Sequence, residues 1–116
     1  MPRFVLLDHD HPTPHLDLML EANSELLTWR LEVTPERGGV YAALHLPNHR
    51  KAYLDYEGPV SGNRGRVAQR DQGVFTWVST QEHAHQVRLE GRVLRGVATL
   101  TQARNTLWEL RWTPDE

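Results

Sequence analysis

Three side chains near the N-terminus have the types and spacing of a metal centre: His9, His15 and Asp17. Imidazole nitrogens and carboxylate oxygens are ordinary ligands for divalent cations. His15 and Asp17 are two residues apart, so on an extended strand both side chains leave from one face. Pro12 and Pro14 turn the chain between His9 and His15, which lets the His9 imidazole return to that face. Two imidazoles and one carboxylate leave coordination positions free for water or substrate, as a catalytic rather than a structural site requires. A lone histidine in such a segment is usually structural or solvated, but three candidate ligands within nine residues favour a metal. Asp10 and His11 stand in the same run, where spacing does not fix their direction; they read as loop residues or outer partners of the ligands. His15-x-Asp17 with a distant histidine also describes the facial triad of non-haem iron oxygenases. The chain is short for such an enzyme, and His9 is a nearer third ligand than that pattern expects.

A second polar group comprises His45, His49 and Tyr53, with Glu57 beyond. His45 lies inside the apolar run Tyr41 to Leu46 and reads as a satisfied core histidine. His49 and Tyr53 lie where a strand gives way to a loop and are the better chemical candidates. His83 and His85 sit by a Gln/Glu-rich turn and read as solvent-facing. Trp29, Trp77, Trp108 and Trp112 read as core aromatics rather than base-stacking platforms.

The elements that must position these groups are strands. Leu16, Leu18 and Leu20 alternate with His15, Asp17, Met19 and Glu21, giving one apolar face and one chemical face. Val87 and Leu89 alternate with Arg88 and Glu90, and Trp108, Leu110 and Trp112 alternate with Leu107, Glu109 and Arg111. Turn signals recur at Ala22-Asn23-Ser24, Pro35 to Gly39, Ser61-Gly62-Asn63, Asp71-Gln72-Gly73 and Leu94-Arg95-Gly96. The pattern predicts strands near 3–8, 15–21, 26–33, 40–46, 52–57, 65–70, 74–79, 86–92, 96–102 and 107–112. The expected fold is all-β, a compact antiparallel β-barrel with short loops formed by one domain over residues 1–116.

Composition narrows the setting. With 39% hydrophobic and 24% charged residues the chain can bury a small core and is not of disordered type. It has no cysteine, which rules out disulfides and thiolate metal sites. The short apolar run Phe4 to Leu7 is neither a signal peptide nor a membrane span, so a cytoplasmic protein without membrane association is expected. A net charge of −2 gives no global basic field, although Arg64, Arg66, Arg70, Arg88, Arg92 and Arg95 concentrate in the second half. Individually these read as solvated strand faces; as a group they could form a phosphate-facing surface.

Taken in order, these stretches resemble the 3′-phosphoesterase domain of bacterial DNA ligase D, a family that also occurs as free-standing proteins. The resemblance runs through His9-Asp10, His15-Leu16-Asp17 and Glu21, then the tryptophan strand at Trp29. It continues through Ala43-Leu44-His45 with His49 and Tyr53, and through Tyr56-Glu57-Gly58. Asp71-Gln72-Gly73, Leu89-Glu90-Gly91 with Leu94-Arg95-Gly96, and Trp108-Glu109-Leu110 complete it. It implies a β-barrel with a manganese-dependent site in its concave face. The implied activity is trimming of nucleic-acid 3′ ends, by removal of a terminal ribonucleotide and then of the 3′-phosphate, before end joining. The implied partners are DNA or RNA/DNA 3′ ends, and DNA ligase or other end-joining proteins. Carried over residue by residue, His9, His15 and Asp17 hold the divalent metal, and His49 and Tyr53 are catalytic groups beside the phosphate.

The chain also departs from the family pattern. Met19 stands where relatives carry an arginine two residues after the metal aspartate, Tyr41 replaces a basic residue, and Pro47 replaces a glutamate. The loop after Gly58 is reduced to Ser61-Gly62-Asn63-Arg64-Gly65. Arg50 and Arg64 are then the loop cations left to bind substrate. The second reading that follows is a catalytically weak or inactive relative that binds DNA ends or repair partners.

Overall fold

A computed structural model describes residues 1–116. Nine strands form one antiparallel sheet: β1 (Arg3–His9), β2 (His15–Ala22), β3 (Glu25–Leu31), β4 (Gly39–Arg50), β5 (Gly58–Pro59), β6 (Arg66–Gln81), β7 (Ala84–Gly91), β8 (Arg95–Arg104) and β9 (Leu107–Pro114). The order is β1-β2-β3-β4-β9-β8-β7-β6-β5, and an added pairing of β1 with β6 closes the sheet into a ring. Closure removes the exposed edges that a sheet of alternating strands would otherwise present. No helix is long and apolar enough to cross a membrane.

Strict alternation divides the apolar residues between two faces. Phe4, Leu6, Leu16, Leu18, Leu20, Trp29, Leu31, Phe75, Leu89, Leu100 and Trp108 belong to one large cluster filling the ring. Each such side chain contributes about 1.5–3 kcal/mol when fully buried. The intervening residues Val5, Leu7, Met19 and Leu26 point the other way and form a smaller cluster with Leu54 and Val67. The larger cluster therefore fills the interior of the ring. The face carrying His15 and Asp17 is the outer one, roofed by the connection from β4 to β6.

Two predicted elements differ. The segment 52–57 is not a strand: Lys51–Leu54 is a 3₁₀ turn, and it drives Leu54 down into the outer cluster. The predicted strands at 65–70 and 74–79 are one continuous strand, β6, running through Asp71-Gln72-Gly73. That turn signal fails because the buried Asp71 carboxylate serves another turn. It accepts the backbone N–H groups of Arg92 (2.8 Å), Val93 (3.2 Å) and Leu94 (2.8 Å) between β7 and β8. Gly73 is required for a different reason: a Cβ there would stand 2.1 Å from the Glu90 carbonyl oxygen of the neighbouring strand.

Asp71→Ala should consequently cost about 3–5 kcal/mol, the usual cost of breaking a buried charged network. Urea denaturation of the two proteins would measure it. A loss under about 1 kcal/mol would show that the turn holds itself together.

His85 is also placed differently from expectation. His83 is exposed, but His85 stacks on Trp108 at 5.8 Å with an interplanar angle of 3°, and meets Trp29 and Trp77 edge-on. Burial, and secondarily the charge of His45, push its pKa below the usual histidine value. The alternation of Val87 and Leu89, extended back by two residues, already placed His85 on the inner face. Trp29, Trp108 and Trp112 are buried as expected of core aromatics.

Candidate active site

His9 ends β1 and His15 opens β2, directly opposite one another in the antiparallel register. Asp17 lies two residues along β2, on the same face as His15. Three elements of sequence thus meet: the end of one strand, a proline-containing turn, and the start of the next. One ligand atom from each of His9, His15 and Asp17 lies within 4.8 Å of the others. His9 Nδ1 is 3.7 Å and His15 Nε2 is 3.4 Å from the same carboxylate oxygen, Asp17 Oδ2.

The remaining ring nitrogens are held by backbone carbonyls. His9 Nε2 donates to the Arg64 carbonyl at 2.8 Å, and His15 Nδ1 donates to the Thr13 carbonyl at 2.8 Å. This is the arrangement that orients metal-binding imidazoles: one nitrogen is pinned as a donor, and the other presents its lone pair. His15 and Asp17 are 4% and 3% exposed, yet His15 Nε2 and Asp17 Oδ1 have no hydrogen-bond partner. Buried polar atoms left unpaired cost about 1–3 kcal/mol each. A divalent cation held between His15 Nε2 and the Asp17 carboxylate would satisfy the orphaned imidazole nitrogen, so the residues fit the metal that the donor set implies.

A cleft of about 440 Å³ lies beside these three residues. Its floor includes Asp17, Met19 and Val67, and its opposite wall is the end of β4 with Tyr53 from the 3₁₀ turn. His49 lies in that wall, outside the three-ligand group. Its Nδ1 donates to the Pro47 carbonyl at 2.9 Å, which leaves Nε2 outside that anchor. The Tyr53 ring meets the His49 ring edge-on at 5.8 Å. The cleft thus has a metal-type wall and an imidazole–phenol wall.

Of the two arginines expected in loops, only Arg64 lies in one. Arg50, the last residue of β4, is exposed at the rim. Arg64 lines the cleft, but its guanidinium donates to the Ser61 carbonyl (2.7 Å) and hydroxyl (3.2 Å), while its own carbonyl holds His9. Three of the other second-half arginines are engaged elsewhere. Arg70 pairs with Asp8 at 2.6 Å, Arg88 pairs with Asp115 at 3.0 Å, and Arg95 donates to the Gly91 carbonyl. Tyr41 packs against the inner cluster, with its hydroxyl donating to the Arg37 carbonyl.

Arg30 was not singled out from the sequence. It lines the cleft from β3, with its Nε 4.0 Å from Asp17 Oδ1. The available signal was the alternation around Trp29: Thr28 and Arg30 take the outer face because Trp29 and Leu31 take the inner one.

No curated protein matches the chain significantly. The family model of the DNA ligase D 3′-phosphoesterase domain matches residues 7–102 of its 116 residues. The match spans every ligand and cleft residue discussed above. A match over most of the length, on an all-β ring whose polar face gathers those histidines, leads to one conclusion: the chain belongs to the DNA ligase D 3′-phosphoesterase family.

Proposed function

We propose that this chain is a metal-dependent hydrolase that removes terminal phosphate and ribonucleotide from nucleic-acid 3′ ends, preparing them for DNA joining. The observation that carries the reading is the convergence of His9, His15 and Asp17, with both imidazoles oriented by carbonyl acceptors. Manganese is the metal suggested by the family, and mixed nitrogen and oxygen ligation suits it. When bound, such an ion would polarise a phosphoryl oxygen and supply a water-derived nucleophile at neutral pH.

The protein's own groups have separable tasks. His9, His15 and Asp17 present preoriented ligand atoms on a rigid sheet, which avoids reorganisation during reaction. His49, anchored through Nδ1, would direct Nε2 towards a phosphoryl or leaving oxygen, as a general acid–base group requires. Tyr53 packs edge-on against that ring and limits its rotation. In the first hydrolysis the oxygen of water would bond to phosphorus while the bond to the terminal ribonucleoside's 5′ oxygen breaks, leaving a 3′-phosphate. In the second, water would bond to that phosphorus, the bond to the 3′ oxygen would break, and the 3′ oxygen would leave with a proton. The product is a 3′-hydroxyl, which is what a ligase or polymerase requires. Such enzymes are the partner class this reading assigns, in a cytoplasmic setting.

The purified protein with manganese and a labelled primer–template should shorten a primer ending in a ribonucleotide and dephosphorylate one ending in a 3′-phosphate. Chelation should stop both reactions. End binding without turnover would favour the inactive-relative reading. That alternative rests on Met19, which is apolar and 1% exposed at the cleft floor.

A further inference from the structure

We infer that Arg30 is the phosphate-recognising cation of the cleft, an inference that rests on the phosphoesterase reading above. The strand bearing Asp17 supplies no positive charge of its own, because the next residue on that face is the buried Met19. Arg30 is the direct cross-strand partner of Asp17 in the β2–β3 register, so the two side chains rise side by side from one face.

The state of its guanidinium distinguishes Arg30 from the other arginines. Arg3, Arg64, Arg70 and Arg88 are committed to Asp55, Ser61, Asp8 and Asp115. Arg30 Nε is buried and has no hydrogen-bond partner, although the side chain as a whole is 34% exposed. Its nearest carboxylate oxygen, Asp17 Oδ1, is 4.0 Å away and is itself unpartnered. That distance is too long for a hydrogen bond, so the contact does little to fix Asp17.

A planar fork of donors, partly desolvated and beside a metal-type carboxylate, is suited to a phosphate oxygen. Once the Asp17 charge is spent on a cation, the positive charge of Arg30 is left without a counterion, and an anionic ligand would supply one. Because Arg30 is paired on both sides, with Asp17 of β2 and Leu44 of β4, it is also better preorganised than Arg50 at the end of β4 or Arg64 in the loop before β6.

The test compares binding of two otherwise identical short oligonucleotides, one ending in a 3′-phosphate and one in a 3′-hydroxyl, to the manganese-loaded protein. Calcium replaces manganese in a parallel series to separate binding from turnover. Arg30→Gln should weaken binding of the 3′-phosphate end about ten- to a hundredfold, the effect of losing one charge-assisted contact. Binding of the 3′-hydroxyl end should hardly change, so the preference between them collapses. Arg30→Lys should recover part of it. Manganese affinity, measured by calorimetry, should be unchanged or higher, because a neighbouring positive charge has been removed. A wild-type phosphate preference that survives Arg30→Gln overturns this inference alone. Loss of metal affinity with the preference retained would also overturn it, making Arg30 a positioning residue for Asp17. Absence of both turnover and phosphate preference in the wild type would overturn the phosphoesterase reading, and this inference with it.

Discussion

Replacing His15 with alanine should abolish the response of this protein to manganese. The wild type should bind one ion per chain, and thermal unfolding should move upward on saturation. An ion at a hundredfold excess over its Kd stabilises the folded state by about 2.7 kcal/mol, which for a domain of this size is a shift of several degrees. His15 Nε2 is buried without a partner, so the ion removes an existing cost as it binds. Removing an outer partner of a metal ligand typically costs ten- to a hundredfold in affinity. Removing the ligand itself should cost at least about a hundredfold. Calorimetric titration of the wild type and His15→Ala checks both stoichiometry and affinity. If the variant keeps the wild-type stoichiometry and thermal shift, the His9–His15–Asp17 centre is not the metal site.

The second large effect concerns His49, and it should separate chemistry from metal binding. His49→Ala should lower turnover of a 3′-phosphorylated end by about a hundred- to ten-thousandfold, the usual contribution of a positioned acid or base. The manganese-induced thermal shift should be retained. The basis is positional: His49 lines the far wall of the cleft, lies outside the three-ligand group, and is anchored to the Pro47 carbonyl. Its half-exposed ring makes a large folding defect unexpected, since no buried partner is left unpaired. Loss of the metal response in His49→Ala would move this histidine to the metal side. Undiminished turnover would remove it from catalysis.

Much of the fold was legible because its signal is short-range. Leu16, Leu18 and Leu20 must share a face on any extended strand, and His15 and Asp17 must share the other. Once β2 is extended, that pairing does not depend on what the strand packs against. His85, expected in solvent from the polar character of its local turn, instead follows the alternation of Val87 and Leu89 onto the inner face beside Trp108. Where composition and period disagreed, period decided. Asp71-Gln72-Gly73 failed for the opposite reason: its residues answer to partners far along the chain, the Leu94 amide and the Glu90 carbonyl.

The sequence by itself determined most of the strands, their two faces, and the shared face of His15 and Asp17, since these depend on residue type and a period of two. Which face would be enclosed was a tertiary matter. The ring fills its interior with the larger apolar set, which leaves the His15–Asp17 face outside. A cleft exists there because Leu54 anchors the 3₁₀ turn over the smaller cluster, with His49 and Tyr53 in its wall. The pinning of His9 by the Arg64 carbonyl required β1 and the β5–β6 loop to meet across 55 residues of chain. The nearness of Arg30 to Asp17 likewise required the β2–β3 register, a quantity set by the hairpin and its packing rather than by either residue.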